Sequence, residues 1–479
     1  MESTSDVIVV GAGLSGLQAA LDLHCSCRSV VVLEARDRVG GKLRTVQRPD
    51  GKGFQEFGAA WLNDTNQHHM WNYCRQLGLT PVVQNIIGAV ACEDAQGKVQ
   101  SVPFNTLPEP ARPTDLAISK FSQVDNDSIK SIRDKFEAAS FDPESFKEPR
   151  RTELDNITFE RWCVRNGATE VALRTATVWT RGTLGQDPCD VSALAFLEIA
   201  RGALGIVNLR YDGKHGPQHL RLQEGTQAVP TGMAKLLPTG TIRLNSAVRS
   251  ISRRAPLEYV VTTIHGRRHQ ARKVIISIPG PAYKTITFEP ALPGPMESYI
   301  ASVRFGCYVK YICLFRTPFW REKGFCGLSQ SFKGPLNHTR DTSVDSQGNY
   351  ALTCFVTSTP ARSWLRLSDR DRREAVLRQL GSLFTVGYDK VKEELLGTIT
   401  SDWHQDQWAG WGCPFACPPP GVIGGGGTGG LCNPRFGGIT VVGTEFTNEW
   451  RGYMEGAVRS GKRGASLVLS DLQGEDNNL

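Results

Sequence analysis

The β-branched run Asp6-Val7-Ile8-Val9-Val10 stops at Gly11-Ala12-Gly13-Leu14-Ser15-Gly16, and apolar residues then recur at helical spacing through Leu17, Ala20, Leu21 and Leu23. The pattern predicts a strand, a tight turn and a helix. Glycines at this spacing have separate mechanical uses: one turns the chain, one lets backbone approach a pyrophosphate, and one lets the helix lie close on the strand. Leu14 and Ser15 then open the helix, whose free N–H groups and positive dipole end suit phosphates. A second apolar strand, Val30-Val31-Val32-Leu33, ends at Glu34, eighteen residues beyond Gly16 and placed to accept hydrogen bonds from a ribose. After it, Ala35-Arg36-Asp37-Arg38-Val39-Gly40-Gly41-Lys42 makes a second glycine turn with basic residues beside the same phosphates. A plain nicotinamide domain has no need of that second turn.

At 479 residues the chain exceeds what one core comfortably supports, so two intertwined lobes are expected. Its 40% apolar and 22% charged residues are those of an ordinary globular protein. A net charge of +7 is mild for this length and predicts no nucleic-acid partner. The densest basic cluster, Arg249, Arg253, Arg254, Arg267, Arg268, Arg272 and Lys273, alternates with apolar residues and reads as a solvated hairpin face. With no basic, apolar leader and no apolar run of membrane-spanning length, a cytoplasmic protein without a membrane partner is expected. Thirteen cysteines without a repeating spacing fit reduced thiols. Neither Cys25-Ser26-Cys27 nor Cys413 with Cys417 has the second ligand pair of a zinc site, so no metal is expected.

Beyond the second turn, Phe57-Gly58-Ala59-Ala60-Trp61 sets small residues between aromatics, which suits backbone lying against a flat ligand or a tight strand end. Residues 68–79 read as a helix stopped by Gly78. Residues 100–150, rich in Pro, Asp, Lys and Ser, read as an inserted helical and loop region. Residues 157–181 and 193–204 read as helices of a substrate-side lobe. Strands are expected at 241–244, 247–251, 259–263 and 273–278, with a charged helix at 370–383 and a strand near 396–400. Lys310 is the one charge in the apolar run of residues 306–315. Its amine either snorkels from an edge strand or sits desolvated in a pocket, available to orient a water or take a proton. Prolines shape residues 410–421 into a loop, and the glycine tract 424–430 reads as a flexible surface loop. A last buried strand leads to Gly443-Thr444-Glu445, and residues 448–457 open a helix running to about residue 469. The N–H groups of Tyr453, Met454 and Glu455 are expected to face a developing negative charge.

Together, residues 10–16, 33–41, Gly58 to Trp61, Lys310 with Pro318-Phe319-Trp320, and Gly443-Thr444-Glu445 with Gly452-Tyr453-Met454-Glu455-Gly456-Ala457 resemble the flavin-containing amine oxidase family, which includes monoamine and polyamine oxidases. The likeness spans nearly the whole chain and is loose over residues 100–220. It implies an α/β fold, a Rossmann-like FAD-binding domain (GR2/amine oxidase type) interleaved with an α+β substrate-binding domain. The implied boundaries are 1–90, 215–290 and 400–479 for FAD, and 91–214 and 291–399 for substrate. The implied FAD site comprises Gly11, Gly13, Leu14, Ser15 and Gly16; Glu34 on the adenosine ribose; Ala35, Arg36, Gly41 and Lys42 near the phosphates; Gly58, Ala59 and Trp61; Val248 beside the adenine; Gly443, Thr444 and Glu445; and Met454 at the pyrimidine end. Lys310 is implied to hold a water at flavin N5 and Tyr453 to wall the amine. Cys413 matches the position where monoamine oxidases attach the flavin through sulfur; a buried structural cysteine is the alternative.

Two departures matter. Lys42 stands where the family usually has arginine, keeping the charge and losing the bidentate fork. Pro414 stands where monoamine oxidases place a tyrosine opposite Tyr453, leaving Phe415 or Trp411 to complete an aromatic cage. The implied activity is hydride transfer from a carbon beside nitrogen to flavin N5, with a small-molecule amine as substrate and O2 as acceptor. Pro414 and the divergent lobe also suit an oxidative cyclisation of an indole-alkaloid-like substrate in secondary metabolism, of the β-cyclopiazonate dehydrogenase kind. A non-catalytic flavoprotein would not need Lys310, and a nicotinamide-dependent monooxygenase would need a second strand-supported glycine loop.

Overall fold

The computed structural model describes residues 3–104, 121–424 and 434–477. Strand Ser3–Val10 pairs in parallel with Val30–Leu33 on one side and with Arg268–Ile276 on the other. Val10 stands opposite both Leu33 and Ile276, so three strands end together at the glycine turn. This nine-stranded sheet continues through Ile242–Arg243 beyond Val30–Leu33, and through an antiparallel meander, Val248–Ala255 and Glu258–Thr263, with Thr287–Glu289 at the far edge. Strand Ile439–Val441 joins in parallel against residues 274–276. Helix Leu14–Cys25 lies on the C-terminal helix Met454–Asp476 so closely that a Cβ added at Gly461 would sit 2.3 Å from the Ser15 carbonyl oxygen. The two ends of the chain therefore meet at the dinucleotide turn.

A second, seven-stranded sheet runs Leu395–Asp402, Tyr308–Phe315, Tyr350–Thr357, Leu336–Asp341, Phe325–Ser331, Ala89–Glu93, Val99–Pro103. Strand Tyr308–Phe315 is internal, its Lys310 opposite Phe355 on one side and Ser401 on the other. Lys310 therefore does not snorkel from an edge; it is 7% exposed. Two elements of this sheet, Ala89–Glu93 and Leu395–Asp402, straddle the domain boundaries drawn at residues 90 and 400. Three of its strands, residues 325–331, 336–341 and 350–357, carry no clear apolar alternation, because Ser329, His338, Thr339 and Thr353 are buried among them.

A helical lobe packs Phe136, Phe159, Trp162 and Phe196 into one aromatic cluster, with ring centroids 4.8–6.1 Å apart. The single helix expected over residues 157–181 is two, Phe159–Arg165 and Glu170–Leu184. Gly167, at φ +88°, turns the chain between them, and the Thr169 side chain accepts the Ala172 N–H to start the second. In the basic hairpin, Arg272 and Lys273 are not solvated as expected: Lys273 is bonded to Glu475, and Arg272 to Asp476 at 2.7 Å, tying the sheet to the C-terminal helix. The twelve cysteines among the described residues are free thiols. No helix among the described residues is long and apolar enough to cross a membrane. The glycine tract read as a surface loop lies, from residue 425 on, outside the described residues.

A candidate cofactor and substrate cavity

A cavity of about 360 Å³ runs from the glycine turn to the second sheet. It is lined by Gly11, Gly13, Leu14, Ser15, Glu34, Ala35, Arg36, Gly41, Lys42, Gly58, Ala59, Trp61, Val248, Lys310, Cys413, Gly443, Thr444, Glu445, Tyr453 and Met454. Gly16 is off the wall: a Cβ there would lie 2.1 Å from the Gly11 carbonyl oxygen, so its smallness serves helix-on-strand packing. Gly13 differs, having ordinary extended backbone (φ −75°, ψ 177°) and nothing within 4 Å of an added Cβ. That open face, beside the first N–H groups of a helix, is what a pyrophosphate requires. Gly58 is held against Lys42, whose carbonyl oxygen would be 1.7 Å from a Cβ.

Both oxygens of Glu34 are anchored by backbone, accepting from Ala12 N–H at 2.7 Å and Arg36 N–H at 2.9 Å. Burial nevertheless holds its pKa above the ordinary carboxylate value. The Arg36 guanidinium is committed to Asp406, 370 residues away, through a two-pronged pair at 2.6 and 2.9 Å. Lys42 donates to the Pro414 carbonyl at 3.1 Å, lies 3.9 Å from Glu445 and sits 3.9 Å from the Phe305 ring centre. Burial lowers its pKa. Of the three N–H groups expected at the last helix, that of Tyr453 is spent on the Trp450 carbonyl at 3.0 Å. The fit to FAD therefore rests on Gly13's open face, the anchored Glu34, and the helix start at Met454, all on one cavity.

At the other end, Lys310 Nζ donates to the Gly58 carbonyl and, at 3.3 Å, to that of Glu56, and stands 5.3 Å from the Trp61 ring centre. Burial pushes its pKa down to about 8, with buried Glu56 opposing. Phe355 stacks on His338 at 4.1 Å, and Tyr308 meets Phe355 edge-on at 5.6 Å while donating to the Gly182 carbonyl. Burial raises the hydroxyl pKa of both Tyr308 and Tyr453. Pro414 and Phe415 both line the cavity, Phe415 packed on Gly452, whereas Trp411 is exposed and off the wall, so it completes no cage. Cys413 is buried, its Sγ 3.5 Å from the Tyr308 carbonyl oxygen, and burial pushes its thiol up to about 12 against the pull of Lys42 and Lys310.

Sequence reasoning missed Trp179, Arg210, Gln218, His338 and Arg340, which complete the wall. Arg340 makes a two-pronged pair with Asp212, Nε to Oδ2 at 3.0 Å and Nη2 to Oδ1 at 2.9 Å, with Asp212 nearly fully buried. Asp212→Asn strips the carboxylate from this guanidinium and is expected to cost about 3–5 kcal/mol, read as a lower denaturation midpoint at unchanged m.

The fold and cavity define a dinucleotide-binding oxidoreductase whose two sheets share one site. The family model for flavin containing amine oxidoreductase matches residues 14–469. A zebrafish (Danio rerio) flavin-containing amine oxidase is 30% identical over 473 residues, covering 97% of this chain and 85% of its own. Human flavin-containing amine oxidase B is 29% identical, covering 98% and 87%. Cyclohexylamine oxidase from Brevibacterium oxydans IH-35A superposes with a TM-score of 0.86 at 26% identity, covering 98% of this chain and 99% of that one. The chain belongs to the flavin-containing amine oxidoreductase family, FAD-dependent enzymes acting on CH–NH2 donors.

Proposed function

We propose that this chain is an oxidase of small-molecule amines, with Lys310 and Tyr453 shaping the reacting site and dioxygen as final electron acceptor. When bound, FAD supplies a two-electron acceptor for the hydride leaving the carbon beside nitrogen. The chain's own residues orient, dry and deprotonate. Trp61, Tyr308, Phe355 and Tyr453 give apolar faces that exclude water from the amine and its neighbouring carbon. An amine gives up hydride only as the free base, so a proton must leave first. Lys310, with its pKa near 8, is suited to hold a water and to pass that proton near neutral pH.

The observation that carries this reading is the buried Lys310 amine on an internal strand of the second sheet, on the same cavity as the dinucleotide turn. Anaerobic mixing with a panel of aryl and alkyl amines should bleach the flavin, and readmitted oxygen should restore the colour with release of hydrogen peroxide. A flavin that no amine bleaches would defeat the proposal. We further propose that Cys413 would hold the flavin through a thioether to its 8α carbon, the S–H and one 8α C–H being lost and the two electrons passing by way of the flavin to dioxygen; its buried position on the cavity wall supports this. Acid precipitation should leave the yellow colour in the pellet, and Cys413→Ala should release it to the supernatant.

A further inference from the structure

Resting on that reading of the cavity, we propose that the amine substrate also carries a carboxylate, an α-amino acid with a bulky apolar side chain, and that Arg210 anchors it. The wall built by Trp179, Leu209, Arg210, Gln218, His338 and Arg340 sets two guanidinium groups against the single carboxylate of Asp212. Arg340 makes the two-pronged bond to Asp212, and that carboxylate acts on Arg210 through space. The Nη1 of Arg210 is buried with no hydrogen-bond partner among the described residues. The same holds for Nε1 of Trp179, whose ring centre lies 5.6 Å from the Arg210 guanidinium carbon. Two buried donors without acceptors occupy one corner, and such donors are costly until something accepts from them.

The acid the chain brings to that corner is Asp212, already paired with Arg340, so two guanidinium groups share one carboxylate. Among the described residues, the carboxylates lining the cavity are Glu34 and Glu445; Glu34 is held by the turn and Glu445 lies beside Lys42. His338 adds no charge, because burial, Arg340 and Arg210 together hold its pKa well below the ordinary imidazole value. Burial and Arg340 likewise push Arg210 down to about 9 against the pull of Asp212, a penalty that a second anion would relieve. A carboxylate matches the flat fork of a guanidinium with two parallel hydrogen bonds. Gln218 Oε1, a buried acceptor without a partner on this wall, is complementary to the N–H of the substrate amine. A diamine would instead bring a second cation against Arg210.

The test compares phenylalanine with phenylethylamine, which lacks only the carboxylate, and titrates benzoate into the holoenzyme while following flavin absorbance. The wild type should favour phenylalanine by roughly 100-fold in kcat/KM, the worth of a charged two-pronged contact. Arg210→Met should lose that preference mainly through KM and weaken benzoate by a similar factor, with FAD content unchanged. Arg210→Lys should restore part of both and guards against a merely misfolded variant. A wild type preferring phenylethylamine, an Arg210→Met enzyme with undiminished benzoate binding, or one that loses FAD would overturn the proposal. Benzoate binding that depends on Arg210, with no flavin bleaching by any amine or amino acid, would uphold the anion site while defeating the amine oxidation on which the substrate assignment rests.

Discussion

Lys310→Met is expected to slow flavin turnover by roughly 100-fold or more while leaving the oxidised flavin spectrum intact, the usual scale for losing a positioned proton-transfer group. The reason is local. Lys310 is anchored by the carbonyls of Gly58 and Glu56, and methionine fills the space without a donor. The wild-type kcat/KM profile should rise through a limb near pH 8, where the buried amine loses its proton, and this limb should be absent from the variant. Stability gives a second readout. The folded pKa is depressed from 10.5 to about 8, so the unfolded chain binds the extra proton between those values. Wild-type stability should therefore rise with pH across that window, by up to about 3 kcal/mol, and the lysine-specific part of that rise should vanish in Lys310→Met. Equal denaturation midpoints relative to wild type at pH 7.5 and 10.5, with unchanged turnover, would make Lys310 a structural residue only.

The parts of this site legible in the sequence are those whose chemistry is contiguous. The turn from Gly11 to Gly16 states its own backbone requirement, and Glu34 follows within one strand–helix–strand unit. Lys310 stood out as a charge in an apolar run, but whether that run is an edge or an interior strand depends on partners at residues 350–357 and 395–402. The pairing of Arg36 with Asp406 bridges 370 residues, and no local pattern announces it. The substrate wall was hidden for a different reason. His338 and Arg340 alternate along one strand with their side chains on a cavity, so the apolar period that marks a strand packed on a core is missing. The unbroken polar run from Asn337 to Ser343, between Leu336 and Val344, was the available signal. The break between the helices at residues 166–169 also had one, an Asn-Gly pair followed by a threonine cap.

Gly13→Ala should separate cofactor binding from folding, since Gly13 and Gly16 differ in what surrounds them. At Gly13 the backbone lies where alanine is at ease, and an added Cβ meets no protein atom within 4 Å. The variant should fold to within about 0.5 kcal/mol of the parent apoprotein, as substitutions without a strained or crowded site do. It should nonetheless lose FAD affinity by at least roughly tenfold, because the space its methyl enters is where a phosphate approaches the helix start. Gly16→Ala should fail at both. Its Cβ would lie 2.1 Å from the Gly11 carbonyl oxygen and 2.4 Å from Ser277 Oγ, and Ser277 is itself fastened to the Val10 and Gly11 carbonyls. Relief requires the helix to back away from the strand, at a cost of about 3 kcal/mol or more, and a displaced helix no longer presents its N–H groups to the cofactor. Apoprotein melting and FAD titration on the two variants read these effects separately. A Gly13→Ala protein that binds FAD like the parent would show that no phosphate approaches there, whatever becomes of Gly16→Ala.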